Sequence, residues 1–510
     1  MQAVNPFLPS WEYIPDGEPH VFGSRIYLFG SHDQFGGDKY CMNDYVCYSA
    51  DTEHLKEWRY EGVIYRKNQD IRNPEGRHCM WAPDVARGLD GRYYLYYCLD
   101  VLPEIGVAVS DEPVGPYEFA GLVHYPDGTP LGRKEGDYLQ FDPGILIDDD
   151  GECYLYSGNG PRTKGLHENK ASQVMRLEPD MMTLKEHPRR LLPTVEDSEG
   201  TGFEGFEFYE ASSIRKIGGI YYLVYSDRNS SSLCYAVSAY PDREFKFGGR
   251  LIDIGDIGID GREAAAPANY LGNTHGGMEQ VNGVWYLFYH RQTNRTFFSR
   301  QACAEPLTIL PDGRILQVGV TSCGLNGGPL KGEGVYEARI ACHLWGKEGA
   351  VWSKEALMDE RYPYFTQDGG DRECGPGQYI ANMRDGAVAG YRFFDLKPEG
   401  RIRLRVRGKA AGRMLLLARP DGGILGEVPI HMDSKEWTAF DGTYAVAGSI
   451  GVDSTEADST VAGSIGADST EADSTGADST EADSAGKQGH ALYLNYEGQG
   501  AFDFLDFTLF

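Results

Sequence analysis

Five short aromatic segments of similar sequence recur between residues 24 and 292, and this repeat constrains the fold more than any other feature. They read SRIYLFGSHD, GRYYLYYCLD, GECYLYSGNG, GIYYLVYSDR and GVWYLFYHRQ. Their equivalent tyrosines lie 60 to 68 residues apart and are Tyr27, Tyr94, Tyr154, Tyr222 and Tyr286. Each segment is short, rich in aromatic and aliphatic residues and introduced by a turn residue, which is typical of a mostly buried β-strand.

The length of the repeat predicts how the strands are arranged. A unit of 60 to 68 residues is long enough for a four-stranded sheet with its loops, and radial repetition of such sheets protects their edges. None of the five regions sustains the 3.6-residue apolar period of a helix. We therefore predict an all-β fold in which a five-bladed β-propeller occupies residues 1–320.

A second regularity indicates a site. Counting back 10 to 12 residues from each equivalent tyrosine reaches an ionisable residue in every repeat: Asp16, Asp84, Asp142, Glu210 and His275. If the strand that follows each of them is the inner strand of its blade, the five side chains surround one mouth of the central channel. Acidic residues before strands are also common in turns, where they bond the local backbone. The in-phase recurrence, with Glu and His replacing Asp, favours a shared site.

Several carboxyl groups in one small volume divide into acids and bases. Because they cannot all ionise at neutral pH, the drier or more crowded group keeps its proton while another stays ionised. Cleavage of a glycosidic bond needs this division, since one carboxylic acid protonates the leaving oxygen and a carboxylate activates water or attacks directly. The pattern therefore predicts sugar hydrolysis, with inversion where the two groups leave room for a water molecule.

The residues around these positions resemble glycoside hydrolase family 43. The resemblance rests on DGEPHVF at Asp16, WAPDV at residues 81–85, FDPGILIDDDG around Asp142, YEASSIRKIGGIYYLVYS around Glu210 and NTHGGMEQVNGVWYLFYH around His275. It implies a five-bladed propeller with inverting activity, mostly of the β-xylosidase, α-L-arabinofuranosidase or arabinanase type. It also implies that Asp16 is the general base, that Glu210 is the general acid, and that Asp142 orients the acid and raises its pKa.

The resemblance extends to further residues of the site. Arg300 resembles the arginine that reaches substrate hydroxyls, and Arg291 competes for that role. Trp81 and Asp84 are predicted to bind substrate, although a core tryptophan is nearly as compatible with the sequence. His275 matches a histidine that helps to hold a hydrated calcium ion, here through water because calcium prefers oxygen ligands; a channel histidine without metal is the alternative. The EASS sequence at Glu210 departs from common family patterns and leaves the preferred sugar open.

The predicted function is that of an inverting exo-glycosidase on β-xylosidic or α-L-arabinofuranosidic bonds in oligosaccharides from plant cell walls. No cofactor is required, and a structural calcium ion on the propeller axis is the metal that the resemblance implies. Two alternatives stay open: a retaining, invertase-like propeller glycosidase, and a propeller that binds sugar without catalysis. The sequence leaves the oligomeric state open.

The region after residue 320 predicts a second domain. A glycine-rich junction precedes residues 335–510, where short runs alternate apolar and polar residues, as in a β-sandwich. This part resembles the jelly roll of carbohydrate-binding module family 6, which predicts either sugar binding or bracing of the propeller, with bracing favoured. Residues 446–486 repeat Ala-Asp-Ser-Thr-Glu units with almost no large apolar side chains, so we expect a dispensable disordered insert.

Charge, cysteine spacing and the N-terminal sequence limit the partners, metal sites and location that we expect. The net charge of −28 repels nucleic acid phosphates and anionic membranes, which makes both poor partners. The ten cysteines lack zinc-ligand spacing and are expected to be reduced thiols. The N-terminal sequence has no basic segment followed by an apolar run, so a cytoplasmic location is expected.

Overall fold

The computed structural model describes residues 2–165, 168–446 and 489–510. These residues form an all-β structure with 28 strands and four 3₁₀-helices of three residues each. Across the described ranges, no helix is both long and apolar enough to cross a bilayer. The prediction of an all-β chain is confirmed.

Strands β1 to β19 form five consecutive antiparallel sheets, one for each sequence repeat. The first three sheets comprise β1 (Glu18–Phe22), β2 (Arg25–Phe29), β3 (Tyr45–Asp51) and β4 (Arg59–Tyr65); β5 (Asp84–Arg87), β6 (Tyr93–Cys98), β7 (Ile105–Ser110) and β8 (Glu118–Leu122); and β9 (Gly144–Ile147), β10 (Cys153–Gly158), β11 (Ser172–Leu177) and β12 (Arg189–Arg190). The last two comprise β13 (Phe208–Ile217), β14 (Ile220–Asp227), β15 (Ser232–Ser238) and β16 (Lys246–Asp253); and β17 (Met278–Val281), β18 (Val284–Gln292) and β19 (Arg300–Leu307).

The five sheets close into a ring with their first strands innermost. Each first strand contacts the first strands of both neighbouring sheets, and a parallel bridge between Gly17 and Gly276 joins the first blade to the fifth. The equivalent tyrosines of the repeat all lie in the second strands, where their side chains are buried between blades. The aromatic segments therefore supply the apolar surface that holds neighbouring blades together, as the five-bladed propeller predicts.

The N-terminal segment completes the fifth blade, whose own sheet has three strands. The backbone amide of Phe7 donates to the carbonyl of Ala302 in β19. The buried side chain of Asn5 donates to the carbonyl of Ala304 and accepts from its amide, each at 2.9 to 3.0 Å. The first and last parts of the propeller are thus joined side by side.

The C-terminal domain is built from one continuous sheet of nine strands. They are β20 (Leu330–Lys331), β21 (Gly334–Glu337), β22 (His343–Trp345), β23 (Tyr364–Gln367), β24 (Gln378–Arg384), β25 (Val388–Asp395), β26 (Glu399–Arg419), β27 (Gly422–Ala445) and β28 (His490–Leu509). The long strand β28 pairs with β21, β24, β25 and β26, so different stretches of one strand take part in different pairings.

Curling of this sheet gives the predicted sandwich-like domain an apolar interior. Its core includes Leu404, Met414, Tyr391 and Phe504, which lie on β26, β25 and β28 and are fully buried. The likeness to a carbohydrate-binding module stays a prediction. Of the predicted disordered insert at 446–486, all but Val446 lies outside the described residues, in the connection from β27 to β28.

Candidate active site

A cavity of about 320 Å³ opens at the hub of the propeller, where the segments leading into the inner strands meet. Four of the five in-phase residues line it: Asp16, Asp142, Glu210 and His275. The other residues of the wall include Tyr40, Cys41, Trp81, Phe141, Asn159, Arg162, Lys170, Tyr209, Asn273 and Arg300. Side chains more than 250 residues apart in the chain therefore share one small volume.

Asp16 is held as a carboxylate. Its Oδ1 accepts a hydrogen bond from Nη1 of Arg300 at 2.9 Å, and its backbone amide donates to Nδ1 of His290 at 3.2 Å. Burial raises the pKa of Asp16, but the charges of Arg300 and His275 outweigh this effect and hold it below the ordinary value. The residue adopts a left-handed backbone conformation with φ of 56°, which an aspartate tolerates better than most residues.

His290 is a neutral partner of Asp16. Its Nε2 donates to the carbonyl of Asn273 at 2.8 Å, which leaves Nδ1 free to accept from the Asp16 amide. Burial and the Arg300 charge lower the pKa of His290 to about 3. The 3.3 Å approach of Nδ1 to the Asp16 carboxylate is therefore not an ion pair.

Arg300 is fixed by a second carboxylate behind it. The carboxylate of Asp33, which is fully buried, accepts from the backbone amide, Nε and Nη2 of Arg300 at 2.8 to 3.0 Å. The amide of Cys41 donates to the same carboxylate at 3.0 Å. Because both ends of the arginine are bound, one nitrogen is presented to Asp16 in a defined direction.

Glu210 is held as a carboxylic acid. Burial, together with the negative charge of Asp142, raises its pKa to about 8, against an opposing effect of Arg162. The side-chain amide of Asn159 donates to Glu210 Oε2 at 3.3 Å. Gly160 allows this approach, because a Cβ there would lie 2.2 Å from the carbonyl oxygen of Phe208.

Arg162 lies beside the acid on the open side of the cavity. Its guanidinium stacks on the ring of Tyr209 with 4.1 Å to the centroid, and Nε donates to the Tyr209 hydroxyl at 2.8 Å. This tyrosine directly precedes Glu210 in β13. The positive charge therefore sits where it influences the proton of the acid.

Asp142 connects the acid to His275. Its Oδ2 lies 3.3 Å from Nδ1 of His275, and its φ of 44° is left-handed. Burial raises the pKa of Asp142, while His275 opposes that effect. Burial lowers the pKa of His275, but Asp142 outweighs it and raises the value to about 9. The imidazole is thus cationic at neutral pH and offsets part of the cost of burying the Asp142 charge.

Trp81 forms part of the cavity wall, as predicted for a substrate contact. Its partly exposed ring meets the ring of Phe141 edge to face at 4.6 Å, and the hydroxyl of Tyr45 donates to its backbone carbonyl. An aromatic face beside several polar groups is suited to the apolar side of a sugar ring.

Two predicted substrate contacts lie elsewhere. Asp84 belongs to β5 itself rather than to the segment before it, and its carboxylate accepts from His20 Nε2 at 2.6 Å and from the Ile145 amide at 2.8 Å. It joins the first three blades at the channel and is not among the residues of the cavity wall.

Arg291 is buried against the C-terminal domain, stacked on Phe365 and bonded to the carbonyl of Ala341. For both residues the geometry supports a structural role instead.

The donor set around His275 does not fit direct calcium coordination. Calcium takes six to eight oxygen ligands, whereas His275 offers a cationic imidazole beside the single carboxylate of Asp142. Among the described residues, Glu18, His20 and Asp84 also cluster closely enough to hold an ion, but Arg215 already lies 2.8 Å from Glu18. A calcium ion held through water stays a prediction, and no catalytic step depends on it.

The structure adds residues that the repeat did not reveal. Tyr40 and Arg162 lie in loops whose lengths differ between blades, so they have no equivalents at a fixed distance from the tyrosines. Asp33 and Asn159 lie at the ends of the aromatic segments SRIYLFGSHD and GECYLYSGNG, so the sequence carried a usable signal for these two residues.

Sequence comparison relates this chain to known glycoside hydrolases. The model of the family "Glycosyl hydrolases family 43" matches residues 14–315. A xylosidase/arabinosidase of Thermoclostridium stercorarium is 45% identical over 511 residues, covering 100% of this chain and 99% of that protein. A xylosidase/arabinosidase of Bacteroides ovatus is 31% identical and covers 62% of this chain and 98% of that protein.

Among solved structures, one similar fold is a family 43 arabinoxylan arabinofuranohydrolase from Bacillus subtilis, determined in complex with cellotetraose. It is 18% identical, covers 99% of this chain and 97% of that chain, and has a TM-score of 0.48. The family match spans every blade, and the full-length similarity to the Thermoclostridium protein runs through both domains. The chain with this cavity is a member of glycosyl hydrolase family 43.

Proposed function

We propose that this glycoside hydrolase is an exo-acting, inverting enzyme that removes β-D-xylosyl or α-L-arabinofuranosyl units from short plant-cell-wall oligosaccharides. The cavity of about 320 Å³ suits one terminal sugar and part of the next. Relatives named xylosidase/arabinosidase support these two pentoses as the candidate substrates. A cytoplasmic location, which would suit short imported oligomers, remains part of the proposal.

One observation carries the proposed mechanism: two carboxyl groups of the same cavity are held in opposite protonation states. The pKa of Asp16 lies below its ordinary value, chiefly through Arg300, and that of Glu210 is raised to about 8 by burial and Asp142. At neutral pH the site therefore contains one base and one acid.

In the proposed reaction, the Asp16 carboxylate takes a proton from a water molecule whose oxygen attacks the anomeric carbon. The bond from that carbon to the leaving oxygen breaks, and Glu210 donates its proton to the leaving oxygen. Water and glycoside become a sugar of inverted configuration and an alcohol, and exchange with solvent restores both carboxyl groups. The Asp142 charge favours the protonated form of Glu210 before the reaction.

A panel of nitrophenyl glycosides tests the sugar. Release of nitrophenol from the β-D-xyloside, the α-L-arabinofuranoside or both is expected, while the β-D-glucoside and β-D-galactoside serve as controls. Absence of release from every pentoside by folded protein would contradict the proposal.

Proton NMR of the first-formed sugar tests the stereochemistry. The inverting mechanism gives the anomer opposite to that of the substrate before mutarotation. First appearance of the retained anomer would instead support a covalent intermediate on Asp16, as in the retaining, invertase-like alternative.

A further inference from the structure

A loop of the C-terminal domain contacts the propeller loop that carries part of the active-site wall. Residues 368–377 connect β23 to β24 and are called the clamp loop here. Residues 30–44 connect β2 to β3 and include Asp33, which anchors Arg300, and Tyr40, which lines the cavity. The contact therefore joins the second domain to a catalytically relevant segment of the first.

Asp371 holds both arms of the β2–β3 loop. Its Oδ1 accepts from the backbone amide of Phe35 at 2.7 Å, and its Oδ2 accepts from the side-chain amide of Asn43 at 3.0 Å. The same amide nitrogen of Asn43 donates to the backbone carbonyl of Asp33 at 3.0 Å. One carboxylate thus bridges the outgoing and returning arms of the loop and reaches Asp33 through Asn43.

Arg372, the next residue, holds the base of the same loop. Its Nη1 donates to Glu12 Oε1 at 2.6 Å. Glu12 Oε1 also lies 2.9 Å from His32 Nε2, and Glu12 Oε2 accepts from the Tyr48 hydroxyl at 2.7 Å. Glu12 and His32 are buried, and His32 directly precedes Asp33. The charge of Glu12 is therefore compensated across the domain boundary, next to the residue that fixes Arg300.

A third contact acts on the tip of the loop. The ring of Phe35 stacks on Tyr13 at 5.3 Å, and the Tyr13 hydroxyl donates to Gln367 Oε1 at 2.6 Å. Gln367 is the last residue of β23, immediately before the clamp loop. Three independent contacts from one segment of the C-terminal domain thus converge on residues 32 to 43.

These contacts lead to the general base in two short steps. Asp33 binds the backbone and side chain of Arg300, and Arg300 Nη1 binds Asp16. The ion pair of Arg392 with Asp256, which also joins the domains, involves neither the cavity wall nor the β2–β3 loop.

We propose that Asp371 is a positioning residue of the active site, so that the C-terminal domain fixes the β2–β3 loop and, through Asp33 and Arg300, the general base. This inference rests on the proposed function of Asp16. The domain then serves catalysis through its attachment to the loop, whether or not it also binds sugar.

The test compares Asp371→Ala with Asp368→Ala in the full chain. Asp368 lies in the same loop but pairs with Arg407 of its own domain at 3.0 Å, which makes it a matched control. For Asp371→Ala we expect kcat/KM on the nitrophenyl pentosides to fall by about 10-fold to 100-fold, since small misplacements of reacting groups have effects of this size. Asp368→Ala is expected to keep the wild-type value. Equal kcat/KM for both variants would overturn the proposal.

A pH profile separates positioning from general destabilisation. Arg300 is the charged group near Asp16 that the loop secures. The other titratable groups that face Asp16 are His290, His275, Asp142, Glu210 and, on the loop itself, Tyr40 and Cys41. Loosening Arg300 lets the pKa of Asp16 rise, so the acid limb of kcat/KM should move to higher pH in Asp371→Ala. The alkaline limb, which Glu210 sets, should stay in place. Parallel movement of both limbs, or of neither, would contradict the proposal.

Two further measurements keep the test decisive if Asp371→Ala folds poorly. Asp371→Asn retains an acceptor and should lose less activity than the alanine variant while keeping the wild-type melting temperature. Combined with Asn43→Ala, it should show a loss smaller than the product of the two single losses, because both changes break the same bridge. Independent losses would overturn the proposal. Inactivity of the wild-type chain on every pentoside would instead contradict the proposed function.

Discussion

Glu210 and Asp16 are both carboxyl groups of one cavity, and their neighbours make them chemically different. Arg300 points a fixed positive charge at Asp16, while Asp142 places a negative charge near Glu210. The cationic ring of His275 lies beside Asp142 and reduces the cost of that buried charge. The protonation pattern therefore depends on these three neighbouring residues as much as on the two carboxyl groups themselves.

The pH dependence of kcat/KM should follow from these two pKa values. In the proposed mechanism, activity requires Asp16 to be ionised and Glu210 to be protonated, so activity is lost at low pH as Asp16 gains a proton and at high pH as Glu210 loses one. The alkaline limb is expected near pH 8, and the acid limb below the ordinary pKa of an aspartate. A profile measured with the nitrophenyl pentosides checks both limbs; a maximum below pH 4 would be incompatible with this assignment.

Glu210→Gln should separate substrates by leaving group. Loss of the acid is expected to lower kcat on xylobiose by about 10²-fold to 10⁴-fold, and much less on an aryl glycoside, because a good leaving group needs little protonation. Glu204→Gln, on an exposed turn before β13, is the matched control and should leave both substrates unaffected. Similar losses on both substrates would argue against general acid catalysis by Glu210.

Arg162→Gln should shift the alkaline limb. The arginine lowers the pKa of Glu210, so its removal lets that pKa rise and moves the limb to higher pH. Lys164→Gln, in the same loop but paired with Glu199, provides the control. A shift to lower pH in Arg162→Gln would show that the arginine acts on Glu210 in some other way.

At the scale of the elements, the position of a residue relative to its inner strand decides whether it reaches the cavity. Asp16, Asp142 and His275 precede β1, β9 and β17, and the two aspartates have left-handed backbones. Glu210 lies in β13, but the register shifts there and Ala211 has a φ of 71°. Asp84 lies in the regular part of β5, which directs its carboxylate to the neighbouring blade.

This difference explains how far the sequence could predict the site. The repeat located all five in-phase residues, but a spacing of 10 to 12 residues does not reveal which backbone will be left-handed or shifted in register. The family resemblance identified Arg300 as an arginine that reaches substrate hydroxyls, whereas its anchor Asp33 depends on a contact across 267 residues. Arg291, the competing candidate, lies outside the cavity wall because the surface that buries it belongs to the second domain.

Asn5→Ala should weaken closure of the propeller ring. The Asn5 side chain donates to Ala304, Glu305 and Thr321 and accepts from the Ala304 amide, all in a buried region. Leaving these groups without partners is expected to lower the free energy of unfolding by about 2 to 4 kcal/mol. Gln2→Ala, on a less buried part of the same segment, should have a smaller effect in urea unfolding. Equal effects would mean that the Asn5 contacts add little to closure.

At the scale of the whole molecule, the sequence repeat predicted the propeller better than it predicted the second domain. The tyrosines mark the same strand in each of the five blades, so their recurrence in the sequence indicates the number of blades. In the C-terminal domain, alternation predicted strands but not their partners, since β26 pairs along its length with both β27 and β28. The strands β27 and β28 are 24 and 20 residues long and belong to one curled sheet. Their alternation of apolar and polar residues therefore does not distinguish one curled sheet from two packed sheets.

Removal of residues 449–484 should leave the enzyme folded and active. The segment lies in the connection from β27 to β28, and few of its residues are large and apolar, so it adds little to a core. We expect a melting temperature within about 3 °C of wild type and unchanged kcat/KM on the pentoside that the chain hydrolyses. Failure to fold would show that the acidic repeat has a structural role.

The attachment of the N-terminal segment to the last blade has a consequence for biosynthesis. Asn5 finds Ala304 and Thr321 only after some 300 further residues have been made. At a synthesis rate of about 5 to 20 residues per second, the partner surface of the N-terminal segment is absent for tens of seconds. A nascent chain therefore exposes an open blade edge throughout this interval, and chaperone occupancy of ribosome-bound chains should drop sharply once residues beyond 321 emerge.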